Sequence, residues 1–187
     1  ADMLRINTVL ETLYLGHNYF TGTGVISITE ALKENSSITT LGLYDNNISE
    51  SESDDVATKL AEMLKENKTL TMLFMTSNNI TDTGAIRIAN ALKVNSSLTR
   101  LYLWGNEDIT DVGAESFADA LQYCNRALTA LGITNNNISS SIISDITGYL
   151  NRNNSLTDEE RSQQLCSGSG CTDPIASNYN PQVIDDD

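Results

Sequence analysis

Leu10-x-x-Leu13-x-Leu15-x-x-Asn18-x-Phe20 is a pattern that the chain repeats 28 positions later as Ile38-x-x-Leu41-x-Leu43-x-x-Asn46-x-Ile48. The same frame opens again at Leu70, Leu98 and Leu128, and finally at Leu156, where it does not continue. Successive copies are separated by 28, 32, 28, 30 and 28 residues. A period of this size predicts a solenoid, in which each unit stacks on its neighbours and buries one continuous core.

Each copy contains two kinds of hydrophobic periodicity. The Leu-x-Leu alternation has the period of two that is typical of a short strand, and it is followed by apolar residues at a period near 3.6. Ala85, Ile88 and Leu92 would share one helical face. Thr81 and Thr110 each stand where a side-chain oxygen could cap a helix that follows. The sequence therefore predicts one strand and one helix per unit, in an α/β fold.

One polar position recurs in every full copy, where the strand must bend into its loop. It is occupied by Asn18, Asn46, Asn78, Asn106 and Asn136. A primary amide can donate and accept hydrogen bonds at once, and a buried backbone group without a partner costs about 1 to 3 kcal/mol. We predict that these five asparagines have a structural role.

The segment Asn79-Ile80-Thr81-Asp82-Thr83-Gly84-Ala85, followed by Ile88-Ala89-x-Ala91-Leu92-x-x-Asn95-Ser96-Ser97-Leu98, resembles the consensus of the ribonuclease-inhibitor type of leucine-rich repeat. That type also occurs in Ran GTPase-activating proteins and in the sensor ends of NOD-like receptors. The resemblance covers residues 4–156 and implies a horseshoe with a concave parallel sheet and convex helices. No atypical capping repeat is evident at either end, so we expect the chain to be part of a longer protein.

The residues between the strand leucines should face the concave side, because successive strand side chains alternate between faces. The partner-binding candidates there are Tyr14, His17, Tyr44, Asp45, Met72, Phe74, Arg100, Tyr102, Trp104 and Asn135. Tyr, Trp and Arg dominate binding hot spots, which favours a protein-binding site on this face. The alternative is that the rings pack on one another across strands and only stabilise the sheet.

The leading functional hypothesis is a non-enzymatic module that binds a protein ligand through the concave face. A GTPase-activating or immune-sensor fragment is the alternative that the resemblance implies, and an architectural spacer is the third. The chain has a single histidine, His17, and no nucleophile motif accompanies it, which argues against an enzyme. No cofactor or metal site is predicted, because Cys124, Cys166 and Cys171 lack the paired spacing of a zinc site.

Charge and hydropathy exclude two further classes of partner. The formal net charge of −14 would repel a phosphate backbone, and no basic cluster offsets it, so nucleic acid is not expected. No run approaches the roughly 18 apolar residues of a membrane span, so membrane insertion is not expected either.

Several other local features are interpreted as products of the repeat. The recurring Thr39, Thr71, Thr99 and Thr129 are explained by the preference of β-branched residues for strands rather than by a polar ladder. The acidic run at positions 50–55 is interpreted as an inserted surface loop, which could alternatively steer a basic partner. The Asn-x-Ser/Thr triplets are interpreted mainly as by-products of the consensus; they begin at Asn35, Asn47, Asn67, Asn79, Asn95, Asn137 and Asn153.

The pattern breaks after the last repeat. Residues 1–156 form the predicted solenoid, residues 157–170 a terminal helix and linker, and residues 171–187 a tail rich in Asp and Asn. The tail resembles a short cysteine-bounded motif of exported proteins from marine microbes, which implies that Cys171 pairs with Cys166 or with a later cysteine. Cys124 is interpreted as a buried thiol. These features slightly favour an extracellular or cell-surface location, with the cytoplasm as the alternative.

Overall fold

Five short parallel strands form one sheet, and their order in the sheet is their order in the chain. The computed structural model describes residues 1–46, 48–162, 166–167 and 170–171. Residues 50, 162, 166, 167, 170 and 171 are described by their backbone alone. The strands are β1 (Thr12–Tyr14), β2 (Thr40–Gly42), β3 (Met72–Phe74), β4 (Arg100–Tyr102) and β5 (Ala130–Gly132). Their register aligns equivalent repeat positions. This arrangement confirms the predicted leucine-rich repeat solenoid.

One helix follows each strand on the other side of the core. The helices are α1 (Asp2–Ile6), α2 (Gly22–Glu34), α3 (Glu50–Glu66), α4 (Asp82–Leu92), α5 (Asp111–Asp119), α6 (Ser140–Ser155) and α7 (Asp158–Ser162). A π-helical turn, Ala120–Cys124, extends α5. Two strands of two residues, β6 (Cys166–Ser167) and β7 (Gly170–Cys171), pair antiparallel. Among the described helices, none is long and apolar enough to cross a bilayer.

The core lies between the sheet and the helices. The middle residue of an interior strand, such as Leu41 or Leu73, is fully buried against helix residues such as Leu32 and Leu60. Leu13, the equivalent residue of β1, is only partly buried, because no strand covers that edge of the sheet. Each unit therefore depends on its neighbour to complete its core, as expected of a solenoid.

The predicted asparagine position forms a ladder of hydrogen bonds between repeats. The Asn46 side chain accepts from the backbone N–H of Asn18 and Phe20 and donates to the carbonyl of Leu15. Asn106 makes the equivalent bonds to Asn78, Ile80 and Met75. From Asn46 to Asn136, each amide thus connects its own strand end to the preceding repeat and satisfies backbone groups that leave the sheet, whereas the Asn18 amide donates to Gly16 within its own repeat.

A second asparagine ladder, which the sequence analysis did not predict, lies at the helix ends. Its members are Asn35, Asn67, Asn95, Asn125 and Asn153, and all five are at most 4% exposed. Asn95 is typical: its Nδ2 donates to the carbonyl of Leu64 in the preceding repeat, and its Oδ1 accepts from the backbone of Leu98. This ladder satisfies carbonyl groups at the end of the preceding helix, which no intrahelical partner can reach.

The interpretation of the recurring threonines was wrong. The Thr71 hydroxyl donates to the carbonyl of Thr39 at 3.0 Å, and the Thr99 hydroxyl donates to the carbonyl of Thr71 at 3.0 Å. Thr39 and Thr129 make the same bond to the repeat before them. The threonine hydroxyl therefore makes a third kind of inter-repeat contact. The preference of β-branched residues for strands does not explain this contact.

The acidic run at positions 50–55 is not an inserted loop, because it forms the first turns of α3. Ser49 and Glu52 form a reciprocal cap, which lowers the pKa of the Glu52 carboxyl, chiefly through the hydrogen bond with the Ser49 side chain. Carboxylates are also favoured near the positive end of a helix dipole. The longer second repeat therefore adds helix rather than loop.

Cys124 is not a free thiol, since it takes part in a disulfide bond. The side chains of Cys166 and Cys171, for which the tail resemblance implied a pairing, lie outside the described residues, as do positions 172–187, which carry most of the predicted tail motif. Cys124 itself is buried at the end of the last interior helix.

Glycine at position 105 suits a backbone conformation that other residue types adopt only at an energetic cost. The residue before each strand-end asparagine has a positive φ: His17, Asp45, Ser77, Gly105 and Asn135. Gly105 has φ +65°, and a Cβ there would lie 3.0 Å from the Ser77 hydroxyl oxygen. The left-handed conformation costs a non-glycine residue about 1 to 2 kcal/mol.

We therefore expect Gly105→Ala to lower the free energy of unfolding by about 1 to 2 kcal/mol, measured by urea denaturation. Gly148 is the matched control, because it lies inside α6 and a methyl group added there would have nothing within 4 Å. Gly148→Ala should raise the stability by about 1 kcal/mol, the usual helix-propensity difference. Changes of the same sign in both variants would contradict this account.

Candidate functional site

Four of the predicted site residues form a contiguous group of rings on the concave face, here called the aromatic cluster: Tyr14, Phe74, Tyr102 and Trp104. The rings of Phe74 and Tyr102 stack at 4.7 Å with an interplanar angle of 16°. The ring centroids of Tyr102 and Trp104 lie 4.8 Å apart, and those of Tyr14 and Phe74 lie 6.2 Å apart. Tyr14 is 56% exposed and Trp104 is 38% exposed. The aromatic cluster therefore has both internal packing and open surface.

Two glycines in the strands make room for these rings. A Cβ at Gly42 would lie 2.6 Å from Cδ1 of Tyr14, and a Cβ at Gly132 would lie 2.6 Å from Cε2 of Trp104. Glycine inside a strand often marks a close approach by another group. Gly42 and Gly132 thus let rings from neighbouring repeats lie close against the sheet.

Tyr44, His17 and Asp45 form a second group, at the loop end of the strands. The His17 and Tyr44 rings meet edge to face at 5.2 Å, and His17 Nε2 lies 3.7 Å from an Asp45 carboxylate oxygen. The Tyr44 ring also lies over Gly16, where a Cβ atom would collide with it. This group extends the aromatic surface towards the first repeat.

The remaining candidates lie at separate points of the face. Met72 and Arg100 are neighbours in register on β3 and β4. Asn135 is exposed beyond the end of β5, with φ 58°. The structure thus brings the aromatic candidates together, places Met72 and Arg100 beside them, and leaves Asn135 at the edge.

One exposed aromatic residue, Tyr19, was not among the predicted site residues. It is 83% exposed, has φ +55°, and lines a hollow of about 210 Å³ with Asp45, Asn46 and Ser77. Large residues seldom adopt a positive φ. Tyr19 lies at the variable position that follows the ladder asparagine Asn18. This position is outside the strand, so the alternation of strand side chains did not indicate it.

The described side chains offer little for metal binding. Across residues 1–46 and 48–161, no group of three or more His, Cys, Asp or Glu side chains is placed to hold a metal ion. A second hollow, of about 280 Å³, lies between α3 and α4 and is lined by Lys65, Arg87 and other polar residues. The binding groups that the concave face offers are its aromatic rings, one guanidinium group and the strand backbone.

The parallel sheet and the stacked helices are those of a leucine-rich repeat fold, and comparisons with known proteins agree. The family model described as "Leucine Rich repeat" matches residues 7–28, 66–89 and 94–118. The solved chain titled "Leiomodin-1 Actin-Binding Site 2 (ABS2)" is 27% identical, with a TM-score of 0.75, over 86% of this chain and 89% of that chain.

A second solved structure, the tropomodulin C-terminal domain of Caenorhabditis elegans, shares the fold. It is 20% identical, with a TM-score of 0.69, over 82% of this chain and 90% of that chain. Comparison with curated proteins found no match. The leucine-rich repeat fold is therefore supported by both sequence and structure.

Proposed function

We propose that the concave face binds a protein partner and that the aromatic cluster supplies the main contact. The observation that carries this proposal is a half-exposed group of rings that pack on one another and lie close against strand glycines. Rigid aromatic side chains lose little conformational entropy on binding, and Trp and Tyr are enriched among hot-spot residues. The similarity to a chain titled an actin-binding site makes actin the first partner to test.

Two finer predictions belong to the same proposal. We infer that the repeats are of the ribonuclease-inhibitor type, which is supported by the 28-residue spacing and by a full helix in each interior unit. We also infer that the module acts by binding alone, without catalysis, since no nucleophile motif accompanies its single histidine, His17.

The stacked Phe74 and Tyr102 rings favour one competing role, the architectural spacer. Cross-strand aromatic pairs stabilise a sheet by about 0.2 to 1 kcal/mol each without any partner. In a spacer, loss of a ring would lower stability and leave binding unchanged. In a binding site, loss of a ring would reduce binding more than stability. Measuring both stability and binding therefore separates the two functions.

The test compares the native chain with Tyr102→Ala and Trp104→Ala variants. Filamentous actin is tested by co-sedimentation, and other partners by affinity capture from the source cells. We expect capture to fall at least about tenfold in each variant, the effect of a residue worth about 1.4 kcal/mol or more. Val112→Ala is the control, because Val112 is 59% exposed on α5, away from the sheet.

Circular dichroism and thermal unfolding must first show that all variants remain folded. Equal capture by the native chain and both ring variants, with reduced melting temperatures, would favour the spacer. Equal loss with Val112→Ala would place the binding surface elsewhere.

A further inference from the structure

The strand part of the concave face is almost free of charge, although the chain is strongly acidic. Its outward strand positions carry Thr12, Tyr14, Thr40, Gly42, Met72, Phe74, Arg100, Tyr102, Ala130 and Gly132. The next outward position holds Gly16, Tyr44, Thr76, Trp104 and Thr134. Arg100 is the one charged side chain among these fifteen, although the chain has a net charge of −14. A single cation is therefore set in an uncharged aromatic surface.

Arg100 is exposed and is not engaged by the protein itself. In the described residues it forms no ion pair and no side-chain hydrogen bond, and its neighbours in register are Met72 and Ala130. Three other arginines do form ion pairs: Arg5 with Glu34, Arg87 with Asp54 and Arg161 with Asp158. The guanidinium of Arg100 is thus available to a partner without first breaking an internal salt bridge.

The surroundings of Arg100 define what the partner must offer. A guanidinium binds a carboxylate through two parallel hydrogen bonds, which fixes the orientation of both groups. Phe74 and Tyr102 stand one outward position further along the strands and would contact an apolar side chain beside that carboxylate. The loop end of the face carries exposed Asp45, Glu107 and Asp108, which would repel a second acidic group.

We propose that the concave face recognises a peptide segment with a single carboxylate side chain, which seats on Arg100, next to an apolar side chain, which packs on the aromatic cluster. This inference rests on the proposed function and adds the chemistry of the partner. Charges at the rim of an interface mainly steer the encounter and select the partner. A charge pair that the complex covers affects the lifetime of the complex. Arg100 is accordingly the specificity-determining residue of the face.

The probe is a phage-displayed library of random peptides of about twelve residues, selected on the native chain. Enriched peptides are synthesised, and their dissociation constants are measured by fluorescence anisotropy. We expect Asp or Glu beside an apolar residue, and at least about a tenfold loss of affinity in Arg100→Glu. Replacing the peptide's acidic residue with Lys should restore binding to Arg100→Glu and abolish it with the native chain.

Lys65→Glu is the matched control, since it makes the same change in charge on exposed α3 surface. Enriched peptides without an acidic residue, or peptides that bind Arg100→Glu as tightly as the native chain, would overturn the proposal for Arg100 alone. If no enriched peptide loses affinity in Trp104→Ala, or if none is enriched, the proposed function itself is wrong. The two failures are therefore distinguishable.

Discussion

Replacing Asn95 with alanine is expected to lower the free energy of unfolding by about 4 kcal/mol, which is a large part of the stability of an ordinary domain. The Asn95 side chain is fully buried and donates to the carbonyls of Leu64 and Asn67. It also accepts from the backbone N–H groups of Ser97 and Leu98. Alanine would leave these groups without partners inside the protein, and each costs about 1 to 3 kcal/mol.

Urea denaturation followed by circular dichroism measures this loss. Asn90→Ala is the matched control, because Asn90 is exposed inside α4, where alanine is a favourable residue. The control should lose less than about 1 kcal/mol. If both variants lose the same stability, the helix-end ladder does not have the structural role described above.

Production through a eukaryotic secretory route is expected to prevent folding of the native sequence. Four Asn-x-Ser/Thr triplets begin at buried members of the helix-end ladder: Asn35, Asn67, Asn95 and Asn153. Glycans are bulky surface groups, and they are attached to the nascent chain before the repeats have stacked. A glycan on a buried amide would block the inter-repeat hydrogen bonds and separate neighbouring units.

The measurement compares the yield of folded, protease-resistant chain from secreting eukaryotic cells and from the bacterial periplasm, which is oxidising but lacks this glycan transfer. A variant that removes the four triplets and keeps every asparagine is the control; it carries Ser37→Ala, Thr69→Ala, Ser97→Ala and Ser155→Ala. We expect folded secreted protein from this variant and little from the native sequence. Folded native protein with glycans at these four positions would contradict the buried ladder.

The repeat frame was predictable because its evidence is local and is repeated five times. Leu13, Leu41 and Leu73 share a position whose period of two defines a strand, and Asn46 marks where that strand ends. The caps at Thr81 and Thr110 were predicted for the same reason, and both hydroxyls accept backbone N–H bonds. Such features depend on a few adjacent residues in one unit.

The helix-end asparagines were considered only as parts of Asn-x-Ser/Thr triplets, and the recurring threonines were noticed but interpreted as strand formers. Asn95 and Thr71 have ordinary sequence neighbours, and only stacking brings a carbonyl from the preceding repeat within reach. The acidic start of α3 was assigned to a loop because its charge was weighed without its cap at Ser49. Charge alone does not distinguish a loop from a capped first turn.

The candidate site divides in the same way. Alternation along a strand predicted which face Phe74 and Tyr102 occupy, but it could not predict how their rings pack. That packing depends on Gly132, which lies in the next strand, and on the register between repeats. Alignment of the five copies would have shown glycine beside the aromatic position, and this is the signal that could have identified these contacts.

The two asparagine ladders divide every repeat into a constant part and a variable part. From the helix-end asparagine to the next strand-end asparagine the distance is always 11 residues: Asn35 to Asn46, Asn67 to Asn78, Asn95 to Asn106 and Asn125 to Asn136. The return from Asn46 to Asn67 takes 21 residues, whereas the return from Asn78 to Asn95 takes 17. Insertions and deletions during evolution should therefore accumulate on the helical side, while the concave face keeps a constant spacing on which residues can be exchanged one for one.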